Sequence, residues 1–154
     1  MKKFLINTLS VLAVFSVVYF GNRFVQGQLG SQARSQLPIE IHQLEAGLQR
    51  AKLEDKLVLA DYSAVWCPSC RKLDKNVFSN TTVSETVNAH FTFVKVEHGS
   101  ELGDIFAKKH SLSGFPRVIV LTPEGEKLTE LPLTFEPESY NTNLIKVISA
   151  FSEN

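Results

Sequence analysis

Cysteine is scarce in this chain: Cys67 and Cys70 are the only two among 154 residues. Two are too few for a disulfide-stapled scaffold. A bond between them closes a very short loop and adds little stability, so the pair is worth more as chemistry than as a clamp. An excess of charge of one sign is also missing, with 16 basic residues against 16 acidic ones. That balance gives no basic field for nucleic acid, which is excluded as a partner. No second cysteine pair exists, and His42, His90, His98 and His110 lack the close spacing of a histidine ligand pair. A four-ligand zinc site therefore has no ligand set. Covalent haem needs a histidine directly after the second cysteine, and Arg71 stands there. Nothing in the sequence points to a metal or any other cofactor, and there is no internal repeat.

What is present begins with an apolar run. Lys2 and Lys3 precede "FLINTLSVLAVFSVVYF", residues 4–20, which carries no charge. A spanning helix takes about 20 apolar residues and a signal-peptide core about 7 to 15, and this run lies between them. The leading reading is a single-pass anchor within residues 1–25, with Lys2 and Lys3 on the cytoplasmic side of the inner membrane. The alternative is a cleaved signal releasing a periplasmic protein, with small residues at cleavage offsets in Val25-Gln26-Gly27 and Ser31-Gln32-Ala33. Both place the remaining chain in the periplasm or outside the cell, where disulfides persist. Residues 26–38, in a stretch rich in Gly, Gln and Ser, read as a linker.

From residue 39 to 154 the pattern is that of one globular domain. Ile41, Leu44, Leu48 and Leu53 recur at helical spacing, which predicts a helix over 40–53. "KLVLADYS" predicts a buried strand over 57–62, and "CPSCRKLDKNVF" a helix over 68–78, with Pro68 at the first helical position. A short helix in "TTVSETVNAH", a strand over 91–97 and a helix in "SELGDIFAKKH" follow. "RVIVLT" and "EKLTEL", joined by "PEG", form a hairpin, and residues 138–151 form a closing helix. Helical crossovers imply parallel strands first, and the hairpin adds antiparallel ones. The fold class is therefore α/β: a mixed sheet of four to five strands flanked by helices.

Cys67 falls where a strand ends and a helix begins. Free N–H groups at a helix start favour a thiolate, the nucleophile of disulfide exchange. Cys70 follows one turn later on the same face, placed to resolve a mixed disulfide formed at Cys67. Cys67 is then the exposed, attacking thiol, with Trp66 packed beside it. Two buried structural cysteines remain the bland alternative. Asn80-Thr81-Thr82 is a formal glycosylation sequon and is read as chance.

The segment "DYSAVWCPSC" resembles the active-site segment of the thioredoxin-like family, with Cys-Pro-Ser-Cys replacing the usual Cys-Gly-Pro-Cys. The resemblance runs from about Leu57 to Phe151. "WCPSCRKLDKNVFSNTTV" looks most like the subgroup that includes the C-terminal domain of the bacterial transmembrane disulfide reductase DsbD. The resemblance implies a thioredoxin fold and a catalytic set of Cys67, Cys70, Asp61 and Lys95. Asp61 matches the family's buried acid, which takes a proton from Cys70, and Lys95 matches the lysine near that acid. It implies substrate contacts at Trp66, Phe115 and Pro116, with Pro116 as the cis-proline facing the cysteines and the backbone at Phe115 pairing with an extended substrate. Two positions depart from the pattern: Arg117 stands where threonine is common, and "TELPLTFEPE" lacks the glycine near which substrates usually approach.

The resulting expectation is a thiol–disulfide oxidoreductase that reduces protein disulfides outside the cytoplasm. Its partners are protein thiol or disulfide substrates, a membrane disulfide reductase as electron donor, and the membrane through the N-terminal helix. The alternatives left open are an oxidase or isomerase using the same dithiol, and a non-catalytic binding or metal-handling module.

Overall fold

The computed structural model describes the backbone of residues 2–152 and the side chains of residues 11–151. In chain order the elements are α1 (Lys2–Ser35), β1 (Ile41–His42), α2 (Leu44–Glu54), β2 (Leu57–Ser63), α3 (Pro68–Leu73), a π turn (Asp74–Phe78), α4 (Thr81–His90), β3 (Phe91–Glu97), α5 (Glu101–Lys109), β4 (Arg117–Leu121), β5 (Lys127–Glu130) and α6 (Pro137–Ser152). The strands form one mixed sheet in the order β1-β3-β2-β4-β5. β1 and β2 run parallel to β3, β4 runs antiparallel to β2, and β5 closes the hairpin with β4. This is the expected thioredoxin fold.

β2 lies in the centre and is buried along its whole length. Both of its faces are covered, which is why "LVLAD" shows no alternation. On one face Leu59, Leu73, Phe78, Phe93, Val120 and Tyr140 pack into a core under α4 and α6. On the other, Val58, Ala60, Tyr62, Phe106 and Ile119 pack under α2 and α5. The central position of β2 delivers its C-terminal end, and the cysteine loop after it, to one edge of the sheet.

Three expectations need correction. The helix predicted over 40–53 starts at Leu44, because Ile41 and His42 first pair with Phe93 and Val94 as β1. The stretch read as a linker over 26–38 is helical through Ser35, and Gly30 and Ala33 within it are buried against the domain. The single-pass anchor within residues 1–25 is not borne out: among the described residues, no helix is long and apolar enough to cross a membrane. The part of the expected anchor in residues 1–10 lies outside the described side chains.

Candidate redox site

β2 ends at Ser63, and Ala64, Val65 and Trp66 carry the chain to Cys67, the N-cap of α3. Pro68 occupies the first turn, where its missing N–H costs nothing. The Cys70 N–H donates to Cys67 Sγ at 3.1 Å, and Ser69 Oγ lies 3.2 Å from the same sulfur. Cys67 and Cys70 are joined by a disulfide, their Cα atoms 5.2 Å apart. When the bond is open, both neighbours of Cys67 Sγ are able to donate to a thiolate. Ser69 carries half of this arrangement and was not singled out from the sequence. Cys67 is less open than its attacking role implied. It is 3% exposed and Cys70 is 2% exposed, because Ala64, Trp66 and Phe115 pack around the pair.

The apolar wall is built from three elements. Trp66 meets the edge of Phe115 with ring centroids 5.5 Å apart. Phe115 lies over His98 at 4.4 Å, and His98 Nδ1 is held by the Tyr62 hydroxyl at 2.7 Å. The Phe115–Pro116 peptide is cis and Pro116 is buried, as the resemblance implied. Arg117 turns away from this wall, donating to the Ser113 carbonyl and pairing with Glu130 on β5.

Behind the cysteines lies a buried charge cluster. Asp61 and Lys95 are register partners on β2 and β3. Lys95 Nζ donates to Asp61 Oδ2 at 2.5 Å and to Asp74 Oδ1 at 2.6 Å. Asp61 is fully buried, and the Lys95 and Asp74 side chains are nearly so. Ser63 Oγ donates to Asp61 Oδ2 at 3.2 Å, while Asp61 Oδ1 has no hydrogen-bond partner among the described residues. Asp74 was missed in the sequence. It stands four residues after Cys70, and its N–H bonds the Cys70 carbonyl, so both side chains leave one helical face. Burial pushes the Asp74 carboxyl up from 3.8, Lys95 opposes that rise, and the Asp61 charge adds to it. The π turn that begins at Asp74 replaces the second half of the expected 68–78 helix.

The last turns of α1 close over the loop that precedes Cys67. A Cβ at Gly30 would stand 1.7 Å from the Val65 carbonyl oxygen, so only glycine permits this approach. The Arg23 guanidinium lies 4.2 Å from the Trp66 ring centre, and Arg71 donates to Gln26 Oε1 at 2.6 Å. Arg34 pairs with Glu97 at 2.7 Å and donates to Ser63 Oγ at 3.3 Å. Glu97 in turn accepts the Val65 N–H at 2.8 Å.

The model of a family described as thioredoxin-like matches residues 40–123, more than half of the chain and including both cysteines, Asp61, Lys95 and Pro116. The chain belongs to the thioredoxin-like family. It is 31% identical over 98 residues to thiol:disulfide interchange protein DsbD 2 of Pseudomonas aeruginosa, an alignment covering 63% of this chain and 17% of that protein. The chain thus spans about a sixth of the length of such relatives. Among solved structures, a Thermus thermophilus thioredoxin superposes with a TM-score of 0.64 at 20% identity, covering 71% of this chain and 87% of its own. The oxidised DsbD C-terminal domain of Neisseria meningitidis superposes with a TM-score of 0.52 at 24% identity, covering 72% and 92%. Both likenesses bear on the fold alone.

Proposed function

We propose that this thioredoxin-like protein is a thiol–disulfide oxidoreductase that reduces disulfides in proteins outside the cytoplasm. The observation that carries the reading is a vicinal cysteine pair at a strand-to-helix junction, backed one helical turn away by a buried two-carboxylate, one-lysine cluster. In the dithiol form, Cys67 Sγ has the Cys70 N–H and the Ser69 hydroxyl beside it and serves as the nucleophile. It attacks one sulfur of a substrate disulfide, forming a mixed disulfide and releasing the first substrate thiolate. Cys70 then loses its proton to the acid cluster, where Asp61 Oδ1 is the open acceptor and Lys95 links that carboxylate to Asp74. The Cys70 thiolate attacks Cys67 Sγ, the Cys67–Cys70 bond forms, and the second substrate sulfur leaves as a thiolate, which takes up the proton held by the acid cluster. Two electrons pass from the dithiol to the substrate disulfide.

Trp66 and Phe115 form the apolar contact beside the pair, and the segment before β4 offers backbone to an extended substrate. A membrane disulfide reductase re-reduces the Cys67–Cys70 bond by the same exchange run toward this protein. The placement outside the cytoplasm rests on the likeness to thiol:disulfide interchange proteins of the DsbD type and on a dithiol suited to a compartment where protein disulfides persist.

Trapping tests the roles. Cys70→Ser is expected to accumulate mixed disulfides with substrate proteins through Cys67, and Cys67→Ser is expected to accumulate none. Mixed disulfides carried by Cys70 in the Cys67→Ser protein would reverse the assignment.

A further inference from the structure

Arg34 on α1 reaches toward the acid cluster through Ser63. Arg34 is a pure donor, with no acceptor atom. One of its nitrogens is held by Glu97 Oε2, and another donates to Ser63 Oγ. A hydroxyl has a single hydrogen to give. With its oxygen accepting from Arg34, Ser63 is left to direct that hydrogen at Asp61 Oδ2. Together with Lys95 Nζ, which donates to the same oxygen, this holds the carboxylate whose other oxygen, Oδ1, stays open. The same guanidinium holds Glu97 in place, and Glu97 fixes the Val65 N–H two residues before Cys67. Arg34 therefore touches neither cysteine, yet it ties both the acid and the cysteine loop to one helix. Gly30 shows independently that the helix is shaped for this seat, since any larger residue there would drive into the Val65 carbonyl.

We infer that Arg34 is a positioning residue of the redox site: seated on Glu97 and Ser63, it aims Asp61 for the proton that Cys70 must lose before it resolves the mixed disulfide. This rests on the oxidoreductase reading above. The consequence is selective. Attack by Cys67 needs no proton acceptor when its thiolate is already formed, whereas resolution by Cys70 does. Loss of Arg34 should slow the second step and largely spare the first. Docking of α1 thereby becomes a condition for rapid turnover.

The two steps separate with 5,5′-dithiobis(2-nitrobenzoate) as a disulfide probe. The full chain is reduced with dithiothreitol, freed of it and mixed with an equimolar amount of probe, so that no second probe molecule is available to Cys70. The Cys67 thiolate releases one nitrothiobenzoate in forming the mixed disulfide, and Cys70 releases the second in closing the Cys67–Cys70 bond. Arg34→Met, which keeps the apolar stem and removes every donor, should slow the second release roughly tenfold and change the first less than threefold. Arg34→Lys should recover part of the loss. Ser63→Ala cuts the relay with Arg34 and Glu97 intact, so it should slow the second release to a similar extent. The double variant should be no slower than either single one. If Arg34→Met does not fold, Ser63→Ala decides. A second release at the unmodified rate in Ser63→Ala, or equal slowing of both releases in Arg34→Met, overturns the inference. Failure of the unmodified protein to give two releases would instead overturn the oxidoreductase reading, whatever Arg34 does.

Discussion

Asp74 is the residue at which the site's chemistry meets the protein's stability. Its carboxyl is buried and shares Lys95 with Asp61, and its pKa is raised above 3.8 chiefly by burial. A carboxyl with a raised folded-state pKa binds its proton more tightly in the native state. Its favourable contribution is complete below 3.8 and is lost as pH rises through the folded value. The stability of the unmodified protein minus that of Asp74→Asn should therefore be larger at pH 4 than at pH 7. Denaturant titrations of both proteins at the two pH values check this, and a difference that grows toward pH 7 would remove Asp74 as the raised acid. Lys95→Met leaves two carboxylates buried without their cation, which should cost about 3–5 kcal/mol, since one partner of a buried ion pair is lost. Restoring stability by adding Asp74→Asn to Lys95→Met is the matching control.

Among the elements, those with strong local signals match the sequence closely. The strand predicted over 91–97 is β3, and the helices in "TTVSETVNAH" and "SELGDIFAKKH" stand where expected. Asn80, half of a chance sequon, proves to be the N-cap of α4, its side chain accepting the Val83 N–H. Asn80→Ala should lower stability by about 1 kcal/mol in thermal or denaturant unfolding. Lys95 alternates with Val94 and Val96, a pattern that in a one-sided sheet would face it to water. β3 lies inside the sheet with both faces covered, so alternation carries no direction there. Only its register with Asp61 reveals that it points inward. β1 was missed because two residues show no period. The seat of α1 was missed because Gly, Gln and Ser read as flexible chain. Gly30 is there for close approach, which composition does not distinguish from looseness. Gly30→Ala should cost about 1–3 kcal/mol as an overpacked contact, and amide exchange in residues 26–34 should accelerate before the rest of the chain responds. Uniform exchange across the chain would show that α1 is not a separable element.

For the whole molecule the open quantity is the direction in which electrons run. A strong oxidant needs a highly stabilised Cys67 thiolate. Here the donors to Cys67 Sγ are one backbone N–H and one hydroxyl, and Asp74, which shares Lys95 with Asp61, lies a turn beyond Cys70. Nearby negative charge opposes a thiolate. The reduction potential of the full chain should lie below about −200 mV against a glutathione or dithiothreitol buffer. A value above about −150 mV would make the protein an oxidase.

The placement of Trp66 has one more consequence. It is the chain's one tryptophan, and its ring sits between Phe115 beside the cysteine pair and the guanidinium of Arg23. All indole fluorescence therefore originates at the junction of the redox loop and α1. Opening the disulfide turns the quencher near the ring into a pair of thiols and changes intensity. Lifting α1 exchanges a cation for water and changes wavelength. The two events act on one chromophore along separate axes, so the unlabelled protein reports optically both on its oxidation state and on whether its first helix is seated.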